Sequence, residues 1–340
     1  MRPLFFLYIF CFSITGFSQR TDHAIDSLFN SYFTNGTFNG SALVIKDNQI
    51  IYQKALGYAT SNKQTQLSIH SKFLMGSIYK EFPAVAIMQL VENNKLTINQ
   101  SIHKILPELP QWSAKITIKH LLQYSSGLPK VNWKHYFSNQ IIPTDKSLFE
   151  DIKNVSKLKF TPGSDYLYTN MSPVLLIKII EKVTKLSFEE YLTKNMLNPY
   201  QIEGIKIKDQ FPFLDKENMA MPFNKDFKDD PYKVAIKNEL ISSNVNGLYL
   251  WLKKLDDFEI ISKESMRFLS QKANKETHTQ APLGSCSWKN NDINIHHHHG
   301  SSGNFECLVT RDKTNNIFVI LLTNQKNRNL FEITNKILNN

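Results

Sequence analysis

The sequence predicts an α+β fold: one antiparallel sheet assembled from both ends of the chain, with a helical lobe inserted between them. Three observations point there. Residues 41–46 and 50–56 are rich in Val, Ile and Tyr and flank the polar triplet Asp47-Asn48-Gln49, the pattern of a β-hairpin. Residues 293–299, 305–311 and 317–323 repeat that character near the other end, with Asp312-Lys313-Thr314-Asn315-Asn316 as the turn between the last two. Between the two ends, residues 83–93, 118–124, 173–184 and 188–195 carry apolar side chains at helical spacing.

Taken in order, residues 1–18 read as an export signal. Arg2 supplies the positive start, residues 4–17 are almost wholly apolar but too short for a membrane span, and Gly16 and Ser18 place small residues before Gln19. The mature chain is then 19–340, exported to the periplasm or beyond, with no stable membrane span after signal removal. The hairpin opens at Gly40. Within the helical centre, Ser187 with Glu190 three residues on makes a capping box. Residues 331–338 read as a closing helix. An α/β lobe is expected from about 37–76 and 240–340, and a helical lobe from about 77–240.

Composition sets limits. With 41% hydrophobic, 12% aromatic and 21% charged residues, the 340-residue chain is neither disordered nor fibrous and is long enough for a sizeable core. The net charge of +10 comes from scattered Lys and Arg, which suits solubility and is no nucleic-acid footprint. No Gly-x-Gly-x-x-Gly or Walker pattern is present, so no nucleotide is expected. Two cysteines, Cys286 and Cys307, follow the signal, both in strand-like text. In an exported protein they could pair, or stay as two separate buried thiols.

Three short patterns could carry chemistry. The first is Ser77-Ile78-Tyr79-Lys80. Positions i and i+3 of a helix share a face, and a serine hydroxyl needs a base nearby to act as a nucleophile. Ser101–Lys104 and Ser156–Lys159 have the same spacing. Only Ser77 stands where an extended apolar stretch, residues 73–76, runs into an amphipathic helix. A helix N-terminus there offers free N–H groups to a developing oxyanion. The ordinary alternative is a capping serine and a solvated lysine.

The second pattern is a Thr161-Pro162-Gly163 turn leading to Tyr168-Thr169-Asn170. On extended backbone Tyr168 and Asn170 share a face. Tyrosine can transfer protons, and an Asn amide can both donate to and accept from a substrate amide. The alternative is a buried ring and a helix-capping Asn. The third is His296-His297-His298-His299-Gly300-Ser301-Ser302-Gly303. Strand alternation sends His296 and His298 one way and His297 and His299 the other, which leaves two ligands per face, thin for zinc. A strand whose Gly300 admits a substrate backbone is the other reading.

In this order, Ser77–Lys80, Tyr168–Asn170 and His298–Gly300 resemble the Ser-x-x-Lys, Tyr-x-Asn and Lys/His-x-Gly motifs of the penicillin-recognising serine hydrolases, on the branch of class C β-lactamases, D,D-peptidases and esterases. Gly40-Ser41-Ala42-Leu43-Val44, Gly57-Tyr58, residues 116–129 and Leu322-Thr323-Asn324 are also similar to that family, so the likeness spans roughly 37–340. The resemblance implies a β-lactamase/transpeptidase-like fold and an acyl-enzyme route. Ser77 is then the nucleophile, and Lys80 and Tyr168 share the proton transfers. The N–H groups of Ser77 and Ser301 form the oxyanion hole, Asn170 holds the substrate amide, and His298, beside Gly300, supplies a donor near Tyr168 or the substrate carboxylate. It implies no metal or organic cofactor, and a small peptide, ester or peptidoglycan-derived substrate.

The sequence also departs from that pattern. His298 and His299 stand where typical β-lactamases have Lys and Thr or Ser. A His in the first position is similar to that of several D-amino-acid peptidases, a D,D-carboxypeptidase and related hydrolases, so the resemblance implies a D-amino-acid peptidase, D,D-carboxypeptidase or esterase rather than a true β-lactamase. Only partly charged at neutral pH, His holds a substrate carboxylate less firmly than Lys. Pro83 falls in the second turn of the nucleophile helix and is expected to bend it. Gly247 replaces a frequent Asp, at the expected cost of a helix cap. Loops 130–144 and 222–237 are expected to line the pocket. Two other readings stay open: a non-catalytic peptidoglycan-peptide-binding protein of the same fold, and a metal-dependent hydrolase using the His run.

Overall fold

A computed structural model describes residues 22–273 and 280–339 of the chain; the expected export signal lies outside them. Helix α1 (His23–Thr34) precedes the hairpin β1 (Gly40–Lys46) and β2 (Gln49–Leu56). Asp47 and Asn48 turn it with φ of 52° and 60°, a left-handed conformation that short polar side chains tolerate. The middle holds β3 (Phe73–Leu74), α2 (Glu81–Glu92), α3 (Ile118–Leu122), α4 (Trp133–Ser138), α5 (Asp145–Lys153), α6 (Met171–Thr184), α7 (Phe188–Leu192), β4 (Ile205–Ile207), β5 (Ile241–Ser243), α8 (Val245–Asp256) and α9 (Lys263–Leu269). The chain ends with β6 (Ser285–Lys289), β7 (Asp292–Ser302), β8 (Phe305–Asp312), β9 (Ile317–Thr323) and α10 (Leu330–Leu338).

The main sheet is antiparallel with order β2-β1-β9-β8-β7-β6, so both chain ends contribute as expected. Its faces follow the strand period of two. Ala42, Val44, Val319 and Leu321 pack under α1 and α10 with Ile25, Phe29, Ile333 and Ile337. Leu43, Ile45, Ile320 and Leu322 face the other way, into the larger core that contains α2, α6 and α8. Buried on both faces, β9 is apolar at six of its seven positions. A small sheet of order β3-β5-β4 lies apart, its strands only two or three residues long. Strands so short carry no readable alternation, and they went unforeseen, as did α1.

Four expectations change at this level. Ser77 does not begin an α-helix: Gly76–Lys80 is a 3-10 turn, and α2 starts at Glu81. Pro83 therefore sits in the first turn of α2, where its missing N–H is not needed, and no second-turn defect arises. Gly247 loses no cap, because Asn244 accepts a hydrogen bond from Gly247 N at 2.8 Å. A Cβ at Gly247 would stand 2.5 Å from Glu203 O, so the position has no room for Asp. Cys286 and Cys307 are both free thiols, and only Cys307 is buried. They lie on β6 and β8 with β7 between, two strand spacings or ~10 Å apart, beyond disulfide reach.

Candidate active site

The 3-10 turn brings the first pair together. Residues i and i+3 eclipse in a 3-10 helix, and Lys80 Nζ lies 3.4 Å from Ser77 Oγ. Lys80 is only 5% exposed and finds its other neighbours in π faces: the Tyr79 ring at 4.4 Å and the Tyr168 ring at 5.0 Å. The other two Ser-x-x-Lys pairs are not built this way, since Lys104 and Lys159 are exposed.

Strand β7 runs directly behind this turn. A Cβ on Gly300 would collide with Met75 O and stand 2.8 Å from Ser77 N; one on Gly76, whose φ is +52°, would collide with Ser301 N. Glycine at both places lets the backbone amides of Ser77 and Ser301 share one wall of the cleft. Gly300→Ala is expected to force the two segments apart and to reduce hydrolytic turnover by roughly 10²-fold or more, the scale of one lost oxyanion donor. Circular dichroism alongside the rates separates this local effect from unfolding, and unchanged rates would count against the wall.

The second pattern lies opposite. Tyr168 packs its ring on Tyr124 at 4.7 Å, and its hydroxyl is buried with no hydrogen-bond partner among the described residues. Asn170 occupies the N-cap position of α6 without capping it. Thr169 Oγ1 accepts from Met171 N instead, while Asn170 Nδ2 donates to Glu239 Oε1 at 2.8 Å. Tyr79 OH donates to the same oxygen at 3.4 Å. Burial raises the Glu239 carboxyl above its ordinary value, with Lys80 opposing. Glu239 reaches the site from a 3-10 turn 159 residues beyond Lys80, with no motif around it to announce it.

The His run splits by face. His298 Nδ1 donates to Glu81 Oε1 at 2.5 Å, and Glu81 Oε2 accepts from Trp251 Nε1 at 2.7 Å. His296 Nδ1 donates to Asp256 at 2.7 Å, its Nε2 lies 3.0 Å from Leu283 O and 3.5 Å from Glu81 Oε1, and Arg311 Nη1 approaches Asp256 at 3.7 Å. Burial opposes the Glu81 charge, but hydrogen bonds from both histidines hold its pKa well below the carboxylate range. Burial likewise opposes charge on His296, yet the Asp256 carboxylate drives its pKa well upward, so it is a cation. For His298 burial prevails over Glu81 and the pKa falls, which leaves a neutral ring. With Nδ1–H committed to Glu81, its Nε2 is an acceptor, 3.1 Å from Gln280 Nε2.

On the far face His297 contacts Thr310 Oγ1 at 2.8 Å and His299 contacts Glu306 at 2.9 Å, with both rings against Phe331. Burial, aided by the neighbouring histidines, pushes His297 down to about 4 from 6.5. A base with a depressed folded pKa contributes stability that is present above the unfolded value and lost as pH falls toward the folded one. Thermal stability is therefore expected to drop between pH 6.5 and 4, and His297→Asn to flatten that slope. An identical slope in the variant would refute the assignment. His296 works in the opposite sense: its contribution is complete below 6.5 and fades as pH rises through its raised folded value.

Local pattern thus marked the Ser77–Lys80 pair and the strand behind it but not Glu81, Trp251, Asp256 or Glu239, which the fold places beside them. Glu81 did leave a signal, a carboxylate heading a helix whose next seven residues are apolar. No group of three or more metal-ligating side chains occurs among the described residues. Loop 222–237 lies over the β7–β8 turn, where Asp230 accepts from Asn304 N at 2.8 Å, and Tyr232 meets Phe137 of α4 with ring centres 6.4 Å apart. No helix among the described residues is long and apolar enough to cross a membrane.

Comparison with known proteins agrees with this architecture. The chain resembles a penicillin-binding protein from Bacillus halodurans (TM-score 0.78, 20% identity, 93% of this chain and 98% of that one). It also resembles the D-amino acid amidase of Ochrobactrum anthropi SV3 (TM-score 0.73, 18% identity, 93% and 99%). Both likenesses define a class of fold, that of the β-lactamase/transpeptidase-like proteins. The Beta-lactamase family matches residues 25–339, and the chain belongs to that family. Among relatives, Protein flp of Staphylococcus aureus (strain MW2) is 24% identical over 337 residues, 90% of this chain and 64% of flp, so the chain spans a little under two thirds of that protein.

Proposed function

We propose that the protein is an exported serine hydrolase that cleaves an amide or ester through an acyl-Ser77 intermediate. The carrying observation is Lys80 Nζ, buried, 3.4 Å from Ser77 Oγ and packed against the Tyr168 ring. Ser77 Oγ attacks the carbonyl carbon and gives its one proton to Lys80, which hands it on through Tyr168 as the bond from the carbonyl carbon to the leaving group breaks. The N–H groups of Ser77 and Ser301 receive the oxyanion. Tyr168 returns the proton to the leaving group, and water then releases the acyl group by the same path. Export rests on the character of residues 1–18.

Within this class, a D-amino-acid peptidase, D,D-carboxypeptidase or esterase fits better than a true β-lactamase. With its Nδ1–H held by Glu81 and its pKa lowered by burial, His298 is a weaker partner than Lys for the carboxylate of a β-lactam, and a D,D-carboxypeptidase would have to hold its substrate's carboxylate with another group. The likeness to a D-amino acid amidase agrees with this choice. The test is hydrolysis of p-nitrophenyl esters, D-aminoacyl and D,D-dipeptide substrates and a chromogenic β-lactam, with Ser77→Ala alongside. Turnover of esters or D-amino-acid substrates that disappears in the variant is expected. Equal turnover by both proteins would sink the proposal. Tight capture of peptides without turnover would favour a binding protein.

A further inference from the structure

We infer that Glu239 selects substrates carrying a protonated primary amine beside the scissile carbonyl, that is, aminoacyl amides and esters with a free α-ammonium. This rests on the acyl-serine reading above and adds the substrate class to it.

Glu239 touches Tyr79, two residues from Ser77 on the same turn, and Asn170, two residues from Tyr168. The carboxylate therefore stands between the two segments that carry the chemistry. Both contacts go to one oxygen, Oε1. No hydrogen bond among the described residues goes to Oε2, and the side chain is half-buried rather than sealed. Among those residues Glu239 also forms no ion pair: Lys80 Nζ is turned to Ser77 and to the two tyrosine rings.

Asn170 strengthens the case. A carboxylate oxygen can face only the N–H2 end of the amide, so the bond to Glu239 fixes the orientation and leaves Oδ1 as an acceptor. Glu239 Oε2 and Asn170 Oδ1 thus offer two acceptors and one negative charge. The amide N–H of an N-acylated substrate brings a single donor and no charge. An ammonium brings three donors and the opposite charge, and charge-assisted hydrogen bonds are the stronger kind. An α-ammonium is two bonds from the carbonyl carbon that Ser77 attacks, so it enters the cleft with the reacting group. Burial raises the Glu239 carboxyl against the opposing Lys80 charge, and an ammonium at Oε2 would favour the carboxylate form further. A substrate anion at this place would be repelled.

The experiment compares kcat/KM for D- and L-alanine and phenylalanine p-nitroanilides and p-nitrophenyl esters with those for their N-acetyl forms. Wild type is expected to favour the free amine by roughly tenfold or more, and Glu239→Gln, which keeps the shape and the Asn170 contact, to reduce that ratio by roughly as much. Glu239→Asp should restore part of it. A wild-type ratio near or below one overturns the inference, and so does a ratio preserved in Glu239→Gln while both rates fall. If the variant does not fold, competitive inhibition of the wild type by amino-acid amides and not by their N-acetyl forms decides the matter in the same direction. Ser77→Ala on the same panel separates the two levels. Hydrolysis that survives it, or a panel with no turnover, removes the acyl-serine reading and this inference with it, whereas Ser77-dependent hydrolysis without amine preference removes this inference alone.

Discussion

Ser77→Ala and Lys80→Ala are each expected to lower kcat/KM for an activated ester by roughly 10⁴-fold, and the double variant by scarcely more than either. The physical reason is that the two groups act as one unit. Lys80 Nζ lies 3.4 Å from Ser77 Oγ and is buried among rings, where it has no other hydroxyl to serve among the described residues. Without Ser77 there is no proton for Lys80 to take. Without Lys80 the hydroxyl remains a weak nucleophile. Tyr168→Phe belongs to the same cycle, since it removes a buried hydroxyl that has no partner among the described residues. Intact-protein mass after mixing with ester supplies a second check: an acyl adduct on wild type and Tyr168→Phe, none on Ser77→Ala. Rate losses that multiply in the double variant would separate the two residues and refute a coupled site.

Glu81→Ala is expected to be the most destabilising single change, by about 3–5 kcal/mol, the cost of removing one partner from a buried ion pair. Glu81 heads α2, whose next nine residues are buried, and its two oxygens serve Trp251, His298 and, at 3.5 Å, His296. Deleting the carboxylate strands the indole N–H and the His298 Nδ1–H in a core where Phe82 stacks on Trp251 at 4.1 Å. His296 keeps Asp256 and the Leu283 carbonyl but loses the second carboxylate. Urea unfolding measures the loss, and a change under about 1 kcal/mol would show that the pair adds little, as surface pairs do.

Glu81→Gln probes the same network differently. Its amide can still accept from Trp251, but it then presents N–H to His298 Nδ1. The ring must move its proton to Nε2, where Gln280 already donates. ¹⁵N spectra of the imidazoles should show that exchange of tautomer, and turnover should fall further than stability does. Unchanged spectra would mean that Glu81 does not set the tautomer. The carboxylate's contribution has a sign in pH as well. Its folded pKa is depressed, so the stability it provides is present above its ordinary value of 4.5 and lost as pH falls toward the folded value.

Strand and helix periods are local properties, and they were legible where segments are long enough to show them. The hairpin at Gly40–Leu56, the three strands before the C-terminus and the apolar stripe of α6 all announce themselves through side-chain spacing. So does the capping box at Ser187, where Glu190 N meets Ser187 Oγ at 3.2 Å. Ser77, Lys80, Tyr168, Asn170, His298, Gly300 and Ser301 were singled out because three short patterns stand in the order in which a known family carries them. Alternation alone placed His296 and His298 on one face and His297 and His299 on the other.

What the spacing does not carry is the identity of a partner from far along the chain. Glu239 meets Asn170 across 69 residues and Glu81 meets His298 across 217. Those contacts exist only once β7 lies beside the 3-10 turn and α2 is covered by α8. The protonation of the His run is likewise a tertiary matter. Four identical side chains in sequence become a ring held by Asp256, a ring held by Glu81 and two rings tilted against Phe331, because each meets a different carboxylate, hydroxyl or apolar wall. Order and local pattern reside in the chain itself; charge state and the choice of acceptor depend on which buried groups the fold sets side by side, where low polarity makes every neighbour count.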